Sequence, residues 1–192
     1  MRLQSLSQSG RAGKLSLKVS RNPVNPQDPV KPIAADNNLG IRLRPAQAAD
    51  DPFLLELYAS TRAHEMALVP WTEEQKAAFV RMQFESQKTH YAAQYPRAGH
   101  EIIDQHETPA GRLYLDRGSE VLHILDITIH PSRRNAGIGS CVLAALLGEA
   151  RQSNKRVTIY VESFNPSLRL FERLGFRKAE EHGFHFLMEW KA

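Results

Sequence analysis

The stretch Arg133-Arg134-Asn135-Ala136-Gly137-Ile138-Gly139-Ser140 joins an apolar run, Val121 to His130, to a helical pattern that opens at Gly137. A strand, a basic glycine-containing turn and a helix start can together form a cradle for a diphosphate. The first helical turn carries N–H groups without intrahelical partners, and the helix dipole adds partial positive charge there. Gly137 and Gly139 have no Cβ, so an anionic oxygen can come close to their backbone. Arg133 and Arg134 can add charge at the rim. An ordinary strand-to-helix connection with two glycines and solvated arginines would read the same, and these residues alone do not separate the two.

Further along, the chain reads Asn165-Pro166-Ser167-Leu168-Arg169-Leu170-Phe171-Glu172-Arg173-Leu174-Gly175-Phe176. Together with Ile127-Thr128-Ile129-His130-Pro131 and Arg134-x-x-Gly137-x-Gly139, it resembles the GNAT acetyltransferase superfamily. The resemblance covers roughly Ile41 to Trp190 and is absent before that. It implies an α/β fold: a mixed, mostly antiparallel sheet with splayed central strands and helices on both faces. It also implies acetyl-CoA as co-substrate and N-acetyltransferase activity toward a primary amine of a small molecule or peptide. The amine would attack directly, without a covalent enzyme intermediate, and a homodimer is common for this architecture.

The resemblance carries roles to single residues. The backbone of Ile127, Thr128 and Ile129 would pair with the pantetheine arm as another strand would. Backbone amides of Arg134, Asn135, Ala136, Gly137, Ile138, Gly139 and Ser140 would hold the diphosphate. Asn165 resembles an asparagine that contacts the pantetheine arm, and it also suits the N-cap of a helix starting at Pro166. Phe171 stands at the coenzyme-binding position where many relatives carry a tyrosine that protonates the departing thiolate. Phenylalanine has no such proton.

An alkylammonium must lose a proton before it can attack a thioester. Glu162, just after the run Val157 to Val161, is the first choice of base, because relatives often carry a glutamate close to the acyl group there. His123 is the second: it falls near a position where other relatives place a carboxylate, and its imidazole titrates in the useful range. Both also fit plain roles, a solvated strand-end carboxylate and a packed histidine. Asp126 reads as an anchor for the splayed strand. Cys141, in the first helical turn, reads as a small buried side chain.

Two other function classes compete. Gly137-x-Gly139 after a strand, with Glu162 about twenty residues on, faintly suggests a dinucleotide-binding domain, but Val142 stands where the third glycine belongs. A non-catalytic acyl-CoA-binding regulatory module is the stronger alternative, supported by Phe171. No Gly-Lys-Ser/Thr phosphate loop occurs, and the histidines lack metal-ligand spacing, so no metal is expected.

Several elements must position these residues. Ile41 to Pro45 alternates as a strand. Asp50 and Asp51 offer N-cap character before Pro52 and the stripe Phe53, Leu54, Leu55, Leu57, Tyr58. Thr72-Glu73-Glu74-Gln75 reads as a capping box opening a helix to about Tyr91, with Ala77, Val80 and Phe84 on one face. Strands follow at Glu101 to Asp104, Arg112 to Asp116 and Val121 to His130, with His106 to Gly111 as a turn. A helix with Val142, Leu143, Leu146 and Leu147 inward comes next, then the strand Val157 to Val161, a helix from Asn165 to Leu174, and two strands around Glu181-His182-Gly183. The resemblance implies that acceptor selection comes from the segment linking the first two helices, here with His64, Glu65, Met66, Pro70 and Trp71, and from the terminal hairpin, with His182, Phe184 and His185. Trp71 could wall an acceptor pocket or cap the core.

Charge separates a tail from this domain. Residues 1–40 hold six basic residues against two acidic ones, a net of +4 that equals the net charge of the whole 192-residue chain. Residues 41–192 are therefore balanced, which argues against a nucleic-acid-binding domain. Pro23, Pro26, Pro29 and Pro32 recur at every third position, and with so little apolar surface residues 1–40 are expected to be a disordered basic tail preceding a 41–192 catalytic domain. No apolar span has membrane length. One cysteine excludes an intrachain disulfide and fits the reducing cytoplasm.

Overall fold

The computed structural model describes residues 38–192, so the expected tail lies outside the described residues except for its last three positions. Leu39 packs against the main core, and Gly40 O accepts from His106 N at 2.9 Å.

The elements run β1 (Ile41–Pro45), α1 (Asp51–Ala67), α2 (Glu73–Gln94), β2 (Gly99–Gln105), β3 (Thr108–Arg117), β4 (Val121–Ile129), α3 (Ile138–Gln152), β5 (Arg156–Glu162), α4 (Leu168–Arg173), β6 (Arg177–His182) and β7 (His185–Trp190). The sheet order is β1-β2-β3-β4-β5-β7-β6. Neighbours are antiparallel except β4 and β5, which are parallel.

Strand alternation sends side chains to two different cores. Ile41, Leu43, Ile103, Leu113, Leu115, Leu122, Ile124, Val157 and Ile159 pack with Val142, Leu143, Leu146 and Leu147 of α3 and Phe171 of α4. On the opposite face Ile102 packs with Leu54, Tyr58, Val80 and Phe84 of α1 and α2. Helices therefore cover both faces, as the resemblance implied.

Several local expectations are corrected. His106 to Gly111 is not one long turn: His106 and Glu107 alone form the connection, both with positive φ, 48° and 63°. That is the geometry whose twist suits a two-residue hairpin, so Thr108 to Gly111 stay in β3. The capping box at Thr72 and Gln75 is present, but α2 continues past Tyr91 to Gln94. Ala77 is exposed, whereas Val80 and Phe84 are buried. Asp50 does not cap α1 with its side chain; Arg44 grips both its oxygens at 2.8 and 2.7 Å, and Gln47 N donates to it at 2.8 Å. Arg44 Nε also reaches Asp104 at 2.9 Å, which fastens β1 to β2 and to the start of α1.

Candidate functional site

β4 and β5 share only four register pairs, from Val121 with Arg156 to Ile124 with Ile159. The reason is visible on the other side of β4. Tyr114 pairs with Asp126 and Leu115 with Ile124, so Leu125 is an extra residue in a β-bulge. A bulge bends its strand, and beyond Leu125 the two strands part. β5 stays with β7 as far as Glu162 opposite His185. Among the described residues, the β5-facing edge of Ile127, Thr128 and Ile129 consequently has no strand against it, while Ile127 and Ile129 still pack against the core. Core packing and an open backbone edge coexist.

At the end of this edge Pro131–Arg133 makes one 3-10 turn, and α3 starts at Ile138 with Gly137 as its N-cap residue. Asn135 and Gly137 have left-handed backbones, φ 61° and 80°. Such residues turn successive N–H groups toward one concavity, a nest for anions. Among the described residues, no hydrogen-bond partner meets the backbone N–H of Asn135, Ala136, Gly137, Ile138, Gly139 or Ser140; Cys141 N is the first paired, to Gly137 O at 2.9 Å. Arg134 differs from the rest of the sequence-derived set. Its N–H turns to Pro131 O at 3.3 Å and its Nε donates to Ile129 O at 3.1 Å, so it frames the loop. A Cβ on Gly139 would meet Leu170 Cδ2 at 3.6 Å and Ile129 Cγ1 at 3.9 Å, ordinary contacts that the fold accommodates.

Where the strands part, a polar cluster lies on the α2 side of the sheet. His123 Nδ1 is 2.8 Å from Thr158 Oγ1, across the paired part of β4 and β5. Tyr95 at the end of α2 and Tyr160 on β5 stand beside its ring, at 6.3 and 5.9 Å between centroids. Burial lowers the His123 pKa below its usual value, with Asp116 opposing. The neutral imidazole is thereby the dominant form at neutral pH, the form a base requires. Asp126 is fully occupied: Arg112 pairs with one oxygen, and Thr128 Oγ1 donates to the other at 2.7 Å. Gln87 of α2 accepts from the same Arg112 nitrogen at 2.8 Å. Tyr91 Oη lies 3.5 Å from the bulge carbonyl of Leu125, and burial, reinforced by Asp126, pushes its phenol up to about 12.

The remaining residues singled out from sequence are spread around this centre. Glu162 ends β5 with an exposed side chain, on the same strand face as Thr158 and Tyr160. Asn165 does not start the helix: α4 begins only at Leu168. Asn165 Oδ1 instead accepts from Ser167 N at 3.0 Å, stabilising the preceding turn. Phe171 is buried against Phe176, with ring centroids 5.3 Å apart. Cys141 is half-buried, and burial raises its thiol pKa, the opposite of activation. Trp71 is exposed and stands edge-on to Phe79 outside both cores. Among the described residues no three His, Cys, Asp or Glu side chains converge as metal ligands, and no helix is long and apolar enough to cross a membrane.

The model of the Acetyltransferase (GNAT) family matches residues 54–176, more than half of the chain. This chain belongs to that family. Solved structures similar to this GNAT protein include the PaiA N-acetyltransferase of Thermoplasma acidophilum in complex with coenzyme A, at 18% identity and TM-score 0.61, covering 79% of this chain and 99% of that one. The ribosomal-protein-S18-alanine N-acetyltransferase of Escherichia coli aligns at 18% identity and TM-score 0.55, over 79% and 93% of the two chains. A GNAT acetyltransferase of Elizabethkingia anophelis with acetyl-CoA bound aligns at 16% identity and TM-score 0.53, over 80% and 99%. No curated protein matches the sequence. At these identities the likeness shows the fold.

Reasoning from sequence missed Thr158, Tyr160, Tyr91, Tyr95 and Arg112 of this GNAT chain. One signal was available for two of them: a pleat with a period of two puts Thr158, Tyr160 and Glu162 on one face. Tyr91 lies in the last turn of α2 and Tyr95 just beyond its end, a placement that only the packing of α2 over β4 makes meaningful.

Proposed function

We propose that this GNAT protein is an acetyl-CoA-dependent N-acetyltransferase, moving an acetyl group onto a primary amine of a small molecule or peptide by direct attack. One observation carries the reading: among the described residues, six successive amides without a partner adjoin a strand edge with no strand against it. The first feature suits a diphosphate, and the second suits an extended amide-bearing arm. Both belong to coenzyme A, in that order along the molecule.

His123 is the better placed of the two bases. It stands where the strands part, is neutral at neutral pH, and is oriented by Thr158. It takes one proton from the ammonium; the freed amine nitrogen bonds to the acyl carbon; the carbon–sulfur bond breaks, sulfur leaves with its electron pair, and the nitrogen gives up its second proton to water as the amide forms. Glu162 remains the alternative base on the neighbouring strand. Phe171 in the core supplies no proton to sulfur, which favours water as the donor. The same residue supports a second reading, a non-catalytic acyl-CoA-binding module.

Calorimetry with coenzyme A and acetyl-CoA tests the cradle. Wild type should bind both, and a folded Gly137→Val variant should lose at least tenfold in affinity, since a β-branched residue disfavours the left-handed backbone, φ 80°, that aims these amides. Unchanged affinity overturns the reading. Thiol release from acetyl-CoA with a panel of amines separates the enzyme from the module.

A further inference from the structure

The faces of β4 switch at its bulge. Leu122 and Ile124 belong to the main core before Leu125, and Ile127 and Ile129 pack against that core after it. The extra residue thereby carries Asp126 and Thr128 to the α2 side, where Arg112 and Gln87 stand. Without it the alternation would run on unbroken, and a slip of one residue turns every later side chain to the other face. Asp126 would then enter the main core. Ile124 pairs with Ile159, so two steps further along the parallel strands Asp126 would stand beside buried Val161. In that straight register β4 can stay paired with β5 to the end of β5, and the open edge closes.

The two registers differ most in what surrounds one carboxylate. On the α2 side Asp126 has Arg112 and Thr128 as partners. Among Ile124, Ile159 and Val161 it would have none, and burying a carboxylate in that way is costly. Ile127 and Ile129 are only partly buried, so their packing discriminates weakly between the registers. Arg112 is 3% exposed, and its buried Nε has no hydrogen-bond partner among the described residues. Such a pair adds little stability over apolar residues of its size, and its best-attested use is to fix one register among several. Gly111 on β3 favours the same register, because a Cβ there would collide with the Thr128 carbonyl oxygen.

We infer that the Arg112–Asp126 pair selects the bulged register of β4, and that both are positioning residues for coenzyme A, acting through the open backbone edge of Ile127 to Ile129. The role toward coenzyme A rests on the acetyltransferase reading above; the choice of register does not. Coenzyme A calorimetry and amide hydrogen exchange at residues 125–129 are measured on the full chain, with urea unfolding to verify the fold. Arg112→Met combined with Asp126→Leu lets either register bury an apolar side chain. Exchange at these residues should become slower than in wild type, as β5 covers the edge. With about a tenth of the molecules left in the bulged register, apparent affinity should fall about tenfold. Asp126→Asn, still polar, should keep the wild-type exchange pattern and bind coenzyme A nearly as wild type does. Asp126→Ala, which fits either face, carries the same expectations as the double variant should that one not fold. Wild-type exchange and affinity in the folded variant overturn the inference, and so does faster exchange, the mark of a merely loosened strand. Wild type that binds no coenzyme A would instead overturn the acetyltransferase reading, and the exchange result would still decide the register.

Discussion

His100 makes this fold sensitive to mild acid. Its imidazole stacks on Tyr114 with centroids 4.4 Å apart and planes 18° apart. Its Nε2 is buried without a hydrogen-bond partner in the structure. Burial, with Arg112 adding to it and Asp126 opposing, moves its pKa from 6.5 to about 4. In the unfolded chain His100 takes up a proton below about 6.5, whereas the folded ring stays neutral until about pH 4. Between those values the unfolded state binds more protons. The penalty is therefore absent above the unfolded pKa, grows as pH falls, and is complete below the folded one. At about 1.4 kcal/mol per pKa unit the ceiling is about 3 kcal/mol, and solvent at the part-exposed ring edge reduces it to about 2 kcal/mol. His100→Phe keeps the stacked ring and removes the proton. Urea unfolding of both proteins, at about pH 7 and about pH 4.5, isolates the contribution from the acids that titrate in common. Wild type should lose about 2 kcal/mol more than the variant on acidification. Parallel losses would refute the reasoning.

Two further perturbations follow from buried or oriented groups. Arg112→Met leaves Asp126 without its cation, and breaking such a buried pair should cost about 3–5 kcal/mol in denaturant unfolding; the double variant Arg112→Met with Asp126→Leu should recover much of it, and no recovery would show that the pair is not the cause. His123→Gln keeps a hydrogen-bond partner for Thr158 but cannot take a proton. It should lower kcat/KM about a hundredfold and erase the acidic limb of the pH profile, which in wild type should lie below the ordinary histidine value. A retained limb would move the base to Glu162.

Much of this architecture was legible because its signals are local. Thr72 and Gln75 satisfy each other's orphan amides within one turn, so their spacing alone located the start of α2. Gly137 and Gly139 marked the loop because a left-handed residue and an open helix start both favour glycine. The turn after β2 was legible but not its two-residue length, since glutamate rarely takes positive φ; the pairing of β2 with β3 imposes it at Glu107. The bulge at Leu125 is equally silent, because an extra residue exists only relative to the partner strand. Asp50 looked like a helix cap until Arg44, brought alongside by β1, claimed both its oxygens. The candidate base His123 was visible as a residue, but its holder Thr158 lies thirty-five positions away on a parallel strand.

Leaving half of an inner strand unzipped has a cost that outlasts any single turnover. Bare amide and carbonyl groups in the middle of a sheet can be capped by any extended chain that reaches them, a neighbour's loose end included. The coenzyme would act here as a protective sleeve as well as a reactant. Protein without it should be the more aggregation-prone form, so the same bend that opens room for chemistry would tie this molecule's solubility to the acyl carrier around it.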